Sequence, residues 1–125
     1  MKQPGVIAFI GSGETTALGG QVFERLARDA QQPLRAAVLE TPAGFELNSA
    51  QVAGRVAEFI ARRLQNDRPE LSLIPARRKD SPFSPDDAGI VEPLYQAGLI
   101  FLGPGSPTYA ARQLAGSLAW DILRA

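Results

Sequence analysis

No cysteine and no histidine occur among the 125 residues. The first absence excludes disulfides, thiolate zinc sites and a cysteine nucleophile, and is compatible with a reducing compartment. The second removes the commonest general base and the commonest metal ligand, so a complete Ser-His-Asp triad cannot be assembled from this chain. Net charge is lacking as well, since 13 basic residues balance 13 acidic ones. No overall field therefore points to nucleic acid or to an anionic membrane surface. Long apolar runs are also missing. The stretch at residues 5–10 follows Lys2 alone and is too short for a signal-peptide core, and nothing approaches membrane-spanning length. These absences lead us to expect a cytoplasmic protein with no nucleic-acid or membrane partner, no metal and no cofactor.

What is present is a repeated alternation of short apolar runs and amphipathic stretches. GVIAFI at residues 5–10 reads as a strand that ends abruptly in Gly11-Ser12-Gly13-Glu14-Thr15-Thr16. A helix is predicted from about Ala17, with Leu18, Val22, Leu26 and Ala30 inward, Phe23 and Ala27 beside them, and a first turn weakened by Gly19 and Gly20. Gln31-Gln32-Pro33 ends it, and RAAVL at 35–39 is a second strand running into Glu40-Thr41-Pro42-Ala43-Gly44. Asn48 and Gln51 resemble a capping box before a helix carrying Val52, Val56, Phe59, Ile60 and Leu64. ELSLI at 70–74 is a third strand, followed by a polar loop containing Arg77-Arg78-Lys79. Ser84-Pro85-Asp86-Asp87 has the form of a helix start, with Ile90, Val91, Leu94 and Tyr95 on the buried side.

The densest punctuation lies at residues 98–115, GLIFLGPGSPTYAARQLA. Leu99, Ile100, Phe101 and Leu102 form an unbroken apolar run of the kind a strand covered on both faces requires. Gly103-Pro104-Gly105 breaks it, and Ser106 and Pro107 read as N-cap and first helical residue. Two glycines with no Cβ let another group approach, and the helix start favours negative charge or a developing oxyanion. The expected architecture is a single α/β domain over residues 1–125, a doubly wound, mainly parallel sheet of about four strands with helices on both faces, flavodoxin-like in type. In such sheets ligands bind beyond the carboxyl ends of the strands, where the turns at 11–16, 41–44 and 103–106 would all lie. After Gly116, SLAWDILRA starts another apolar-periodic helix with no further strand to lead into. This predicts either the front part of a longer domain or a helix that mediates homo-oligomer formation.

The motifs exclude more than they assign. Gly11-Ser12-Gly13 begins like a dinucleotide fingerprint, but Thr16 stands where the third glycine is needed. No lysine follows for a P-loop, and the residues two away from Ser106 are Pro104 and Thr108, so no nucleophile elbow is formed. Glu14 and Glu40 are placed to share the sheet's carboxyl edge, where they either act as an acid/base pair or hold a divalent ion, or else cap loops and bind backbone amides.

Together, VIAFIGSGETT, LETPAGFE and LIFLGPGSPTYAARQL with its following tryptophan helix resemble the cyanophycinase and dipeptidase E-like serine peptidases, of the class I glutamine amidotransferase-like fold. The resemblance implies a substrate- and oxyanion-side wall made by Gly11, Gly13 and Glu14 in the first turn and Gly103, Gly105 and Ser106 in the last. The chain departs from the family at Gly103-Pro104-Gly105-Ser106, where a Gly-Gly-Asn-like turn is usual, and has neither the elbow serine nor the histidine. No catalytic residue carries over. The resemblance thus implies an N-terminal fragment of a hydrolase, inactive alone, facing a small peptide-like or acidic substrate. The alternative is a non-catalytic α/β module that binds a small anion or nucleotide and self-associates through its C-terminal helix.

Overall fold

In the computed structural model, which describes residues 5–10 and 13–125, three strands form a parallel sheet: β1 (Arg35–Leu39), β2 (Glu70–Ile74) and β3 (Leu99–Leu102). Their order is β2-β1-β3, with Arg35 opposite Glu70 and Ala36 opposite Leu99 at the start of the two ladders. Parallel pairing demands a crossover between successive strands, and helices supply it. Two helices, α1 (Ala17–Arg28) and α2 (Ser49–Arg63), cover one face; α3 (Ala88–Val91), α4 (Pro107–Leu114) and α5 (Leu118–Arg124) cover the other. Alternate residues of β1 serve the two layers. Ala36 and Val38 pack with Phe23, Ala53, Val56 and Ile60, while Ala37 and Leu39 pack with Ile74, Val91, Leu94 and Ala110. The apolar core is thus split by the sheet, as a strand buried on both faces requires.

The sheet has three strands among the described residues, not the four expected. Residues 5–10 form no strand: 5–9 are exposed, Ile10 is half-buried, and their backbone makes no hydrogen bond to another described residue, so their β-forming composition goes unused in the sheet. β3 is consequently an edge strand, and Leu102 is partly exposed instead of covered on both faces.

Helix α1 presents a face one position away from the expected one. Leu18 is exposed, whereas Gly19, Gly20, Phe23 and Ala27 are buried. A Cβ on Gly19 would come within 2.5 Å of the Gly13 carbonyl oxygen, so the two glycines that weaken the helix intrinsically permit its start to lie against other backbone and against Arg63. The Arg63 guanidinium in turn donates to Glu24 and ties α2 to α1. Two further helix starts differ. Asn48 precedes α2 but makes no side-chain cap bond, so the capping box is not formed. Asp87, not Ser84, caps α3, accepting from the Gly89 and Ile90 amides; Ser84 instead accepts from Asp86 in a local turn, and Tyr95 faces solvent.

Helix α5 is seated on its own chain. Leu118, Ile122 and Leu123 pack against the second core layer and Ala119 donates its amide to the Pro85 carbonyl, leaving Trp120 at the surface. Ser117 is buried and accepts from the Trp120 amide at 3.1 Å. Ser117→Ala is expected to cost about 1–2 kcal/mol through loss of this cap. A urea midpoint unchanged from the parent would show the cap to be dispensable.

Candidate functional site

The loops that leave β1, β2 and β3 meet at the carboxyl edge of the sheet. Residues Thr41–Ala43 form one turn of 3-10 helix directly after β1. Thr41 is buried and its hydroxyl donates to the Ala76 carbonyl at 2.6 Å, fastening that turn to the loop after β2. Gly44 sits so close to Arg77 that a Cβ there would lie 2.3 Å from the Arg77 carbonyl oxygen. On the other side, the Ser106 amide donates to the Pro42 carbonyl at 2.8 Å, and a Cβ on Gly105 would fall 2.3 Å from that same carbonyl group. Tyr109, in the first turn of α4, closes the ring by donating its hydroxyl to the Arg77 carbonyl at 3.0 Å.

At the centre of this junction Glu40 is buried, only 3% exposed, and carries an ion pair. Its Oε1 accepts from Arg77 Nε at 2.9 Å and from the Ser49 hydroxyl at 3.0 Å. Arg77 lies with its guanidinium 4.5 Å from the centre of the Phe83 ring, so charge and ring face both hold it. Phe45 meets Tyr109 edge to face at 5.0 Å. A continuous row of Phe45, Tyr109, Arg77 and Phe83 therefore borders the carboxyl edge, with both phenylalanines partly exposed.

The expected site residues fall into two groups. Gly105 and Ser106 are brought onto the β1 loop as described, whereas Gly103 faces the Phe101 ring of its own strand. Gly13 and Glu14 belong to the turn before α1, where Gly13 has φ +117° and its carbonyl accepts from the Thr16 amide at 3.0 Å. Gly11 lies outside the described residues. Two of the amides at the last turn are spoken for: the Ser106 amide serves Pro42, and the Tyr109 amide donates to the Ser106 hydroxyl at 3.1 Å. The outward-facing amides expected there are reduced accordingly, because the turn uses them to hold the neighbouring loop.

Glu40 and Arg77 form the pair that local reading does not connect. Each carries a signal, an acid at the end of an apolar strand and a basic triplet in a loop, yet 37 positions separate them and only the β1–β2 pairing brings them together. Lys79 is likewise structural, its amide donating to the Gln113 side chain at 2.8 Å and its ammonium to the Ala115 carbonyl.

A concavity of about 170 Å³ lies at the opposite end of the sheet, lined by Arg35, Glu70, Glu92, Pro93 and Gln96 among others. Among the described residues no cluster of three or more acidic side chains could hold a metal ion, and no helix is long and apolar enough to cross a membrane. Comparison with protein-family models, curated proteins and solved structures returned no match to this chain.

Proposed function

We propose that this chain is the N-terminal portion of a serine peptidase or amidohydrolase resembling the cyanophycinase and dipeptidase E-like enzymes, supplying their substrate- and oxyanion-side loops and incapable of turnover alone. The observation that carries this reading is the stitching of the three post-strand loops into one wall at the carboxyl edge, through Ser106 to Pro42 and Tyr109 to Arg77. That edge is where ligands sit in parallel α/β sheets. In this reading residues 5–10 supply the fourth strand of a flavodoxin-like sheet, a small peptide-like or acidic substrate passes over the Phe45, Tyr109 and Phe83 row, and the protein works in the cytoplasm.

Nucleophilic chemistry has no complete apparatus here. Ser49 and Ser117 are buried and engaged, Ser106 caps α4, and histidine is absent from the sequence. Acyl transfer needs a nucleophile open to substrate as well as a base within reach, and Ser49, whose hydroxyl donates to the Glu40 carboxylate, is only 2% exposed. The module that binds a phosphate or nucleotide at the same turn is less favoured, since Ser106 and Tyr109 amides already have partners.

A serine-directed fluorophosphonate is expected to leave the chain unlabelled under conditions that label an authentic serine hydrolase to completion. Stoichiometric labelling of one serine, abolished by unfolding, would overturn the assignment.

A further inference from the structure

Residues 5–9 are exposed throughout. Val6, Ile7 and Phe9 are 74%, 80% and 95% exposed, and no hydrogen bond joins the backbone of this segment to another described residue. A run of branched and aromatic residues whose amides meet no described partner has the composition of a strand without a sheet. Apolar side chains fall on both of its sides, Ile7 and Phe9 on one and Val6, Ala8 and Ile10 on the other, which suits a position covered on both faces.

The same chain carries a matching vacancy. Among the described residues β2 and β3 each pair with β1 alone, so each has a free edge there. β2 bears Glu70, whose charge discourages edge pairing, whereas the four residues of β3 are all apolar and Leu102 is partly exposed. Chain geometry selects the same edge. The helices α1 and α2 lie on one face of the sheet, and the β1–α2–β2 crossover steps from β1 toward β2. A strand preceding α1 that enters β1 with the same handedness must therefore start on the β3 side of β1.

Within one chain that edge is not reached. Phe9 and Ile10 instead border a concavity shared with Gly13, Thr16, Leu18, Gly19 and Val22 at the start of α1. We propose that residues 5–10 are an exchanged strand, the segment of one copy pairing with the outer edge of β3 in a second copy of this chain. The exchange is reciprocal about a two-fold axis, so both segments and both edges are used and the assembly closes as a dimer. Phe9 alone contributes about 150–250 Å² on each side, toward the roughly 800 Å² per partner that a standard interface buries. The proposal rests on the reading that this sheet takes a fourth strand, and it identifies whose strand that is. It also moves self-association from α5, whose apolar residues other than Trp120 pack on their own core, to the other end of the chain.

Sedimentation and amide hydrogen exchange on the full chain test it. A dimer of twice 13.4 kDa is expected, with the amides of residues 6–10 and of β3 protected together and losing protection together on dilution. Ile7→Pro removes a ladder donor, and it is expected to weaken the dimer at least roughly 100-fold while leaving the far-UV spectrum of the monomer unchanged. Phe9→Lys serves as a second variant with the same expected loss. A monomer with protected residues 6–10 overturns the exchange but keeps the fourth strand. A monomer without that protection overturns both. A dimer that survives both variants places the interface elsewhere and also overturns the proposal.

Discussion

Replacing Gly105 with alanine is expected to lower the free energy of unfolding by about 2–4 kcal/mol, through a clash and backbone strain acting together. Gly105 has φ +148°, a conformation that L side chains rarely adopt. Its added Cβ would fall 2.3 Å from the carbonyl carbon and oxygen of Pro42 and 2.6 Å from the Ala43 amide nitrogen. Those atoms are backbone, held by the 3-10 turn after β1 and by the Ser106 to Pro42 hydrogen bond, so they cannot swing away as a flexible side chain would. Relief requires the two loops to part, which breaks that hydrogen bond. Gly103 supplies the control. It also has a positive φ, at +135°, but an added Cβ would meet only the edge of the Phe101 ring, at 3.6 Å. Gly103→Ala should therefore cost about 1–2 kcal/mol, the conformational strain without the collision. Urea titrations of both variants followed by far-UV circular dichroism check the ordering. If Gly103→Ala proves the more damaging, the contact with Pro42 does not organise this edge.

That contact also explains why the turn looks, in sequence, like a place built only for a ligand. Gly103-Pro104-Gly105-Ser106-Pro107 correctly signals a strand end, an N-cap and a helix start, because each depends on neighbours within four residues. RAAVL, ELSLI and LIFL are legible for the same reason: each is a short apolar run bounded by turn formers, and each is a strand. What glycine is for cannot be read locally. Gly105 admits Pro42 and Gly44 admits the Arg77 backbone, both of which depend on where a distant segment lies, while Gly19 admits the carbonyl of Gly13 across the turn before α1. The displaced inward face of α1 follows from the same cause, since periodicity favours Leu18 but close packing at the helix start favours the two glycines after it. Residues 5–10 mark a different limit. Their composition specifies a strand, and a strand needs an edge that composition cannot name. The α3 start shows a third, where two good N-cap candidates, Ser84 and Asp87, compete; Asp87 makes the cap, while Pro85 is buried beneath the amide of Ala119 and Asp86 is turned to cap Leu118 of α5.

Arg77→Met is expected to be the most damaging substitution at the carboxyl edge, at about 3–5 kcal/mol, because it removes the cation and leaves the anion behind. The Glu40 side chain is 2% exposed, against 28% for Arg77. Deleting the arginine strands a carboxylate that water scarcely reaches, with the Ser49 hydroxyl as its remaining side-chain donor. Deleting the carboxylate strands a guanidinium that is partly in solvent and still rests on Phe83, so Glu40→Leu should cost less, about 2–3 kcal/mol, mostly from the unpaired Ser49 and Arg77 donors. The double variant Glu40→Leu/Arg77→Met removes both charges and is expected to be more stable than Arg77→Met alone, a non-additivity that a double-mutant cycle measures directly. Equal costs for the two single changes, or strict additivity in the double, would mean that the pair does not couple the loops after β1 and β2. The asymmetry matters for the proposed role of this edge. A binding wall made from three separate loops must hold its shape before ligand arrives, and Glu40 makes three of the ordering contacts on the β1 side: its backbone amide extends the ladder to Ile74, and its carboxylate reaches both Ser49 at the start of α2 and Arg77 beyond β2. Losing the cation releases the loop that carries Tyr109's acceptor, and through Tyr109 the helix start that carries Ser106. Amide exchange in Arg77→Met should accordingly quicken at Ser106 and Tyr109 as well as near residue 77, while the β1–β2 ladder stays protected.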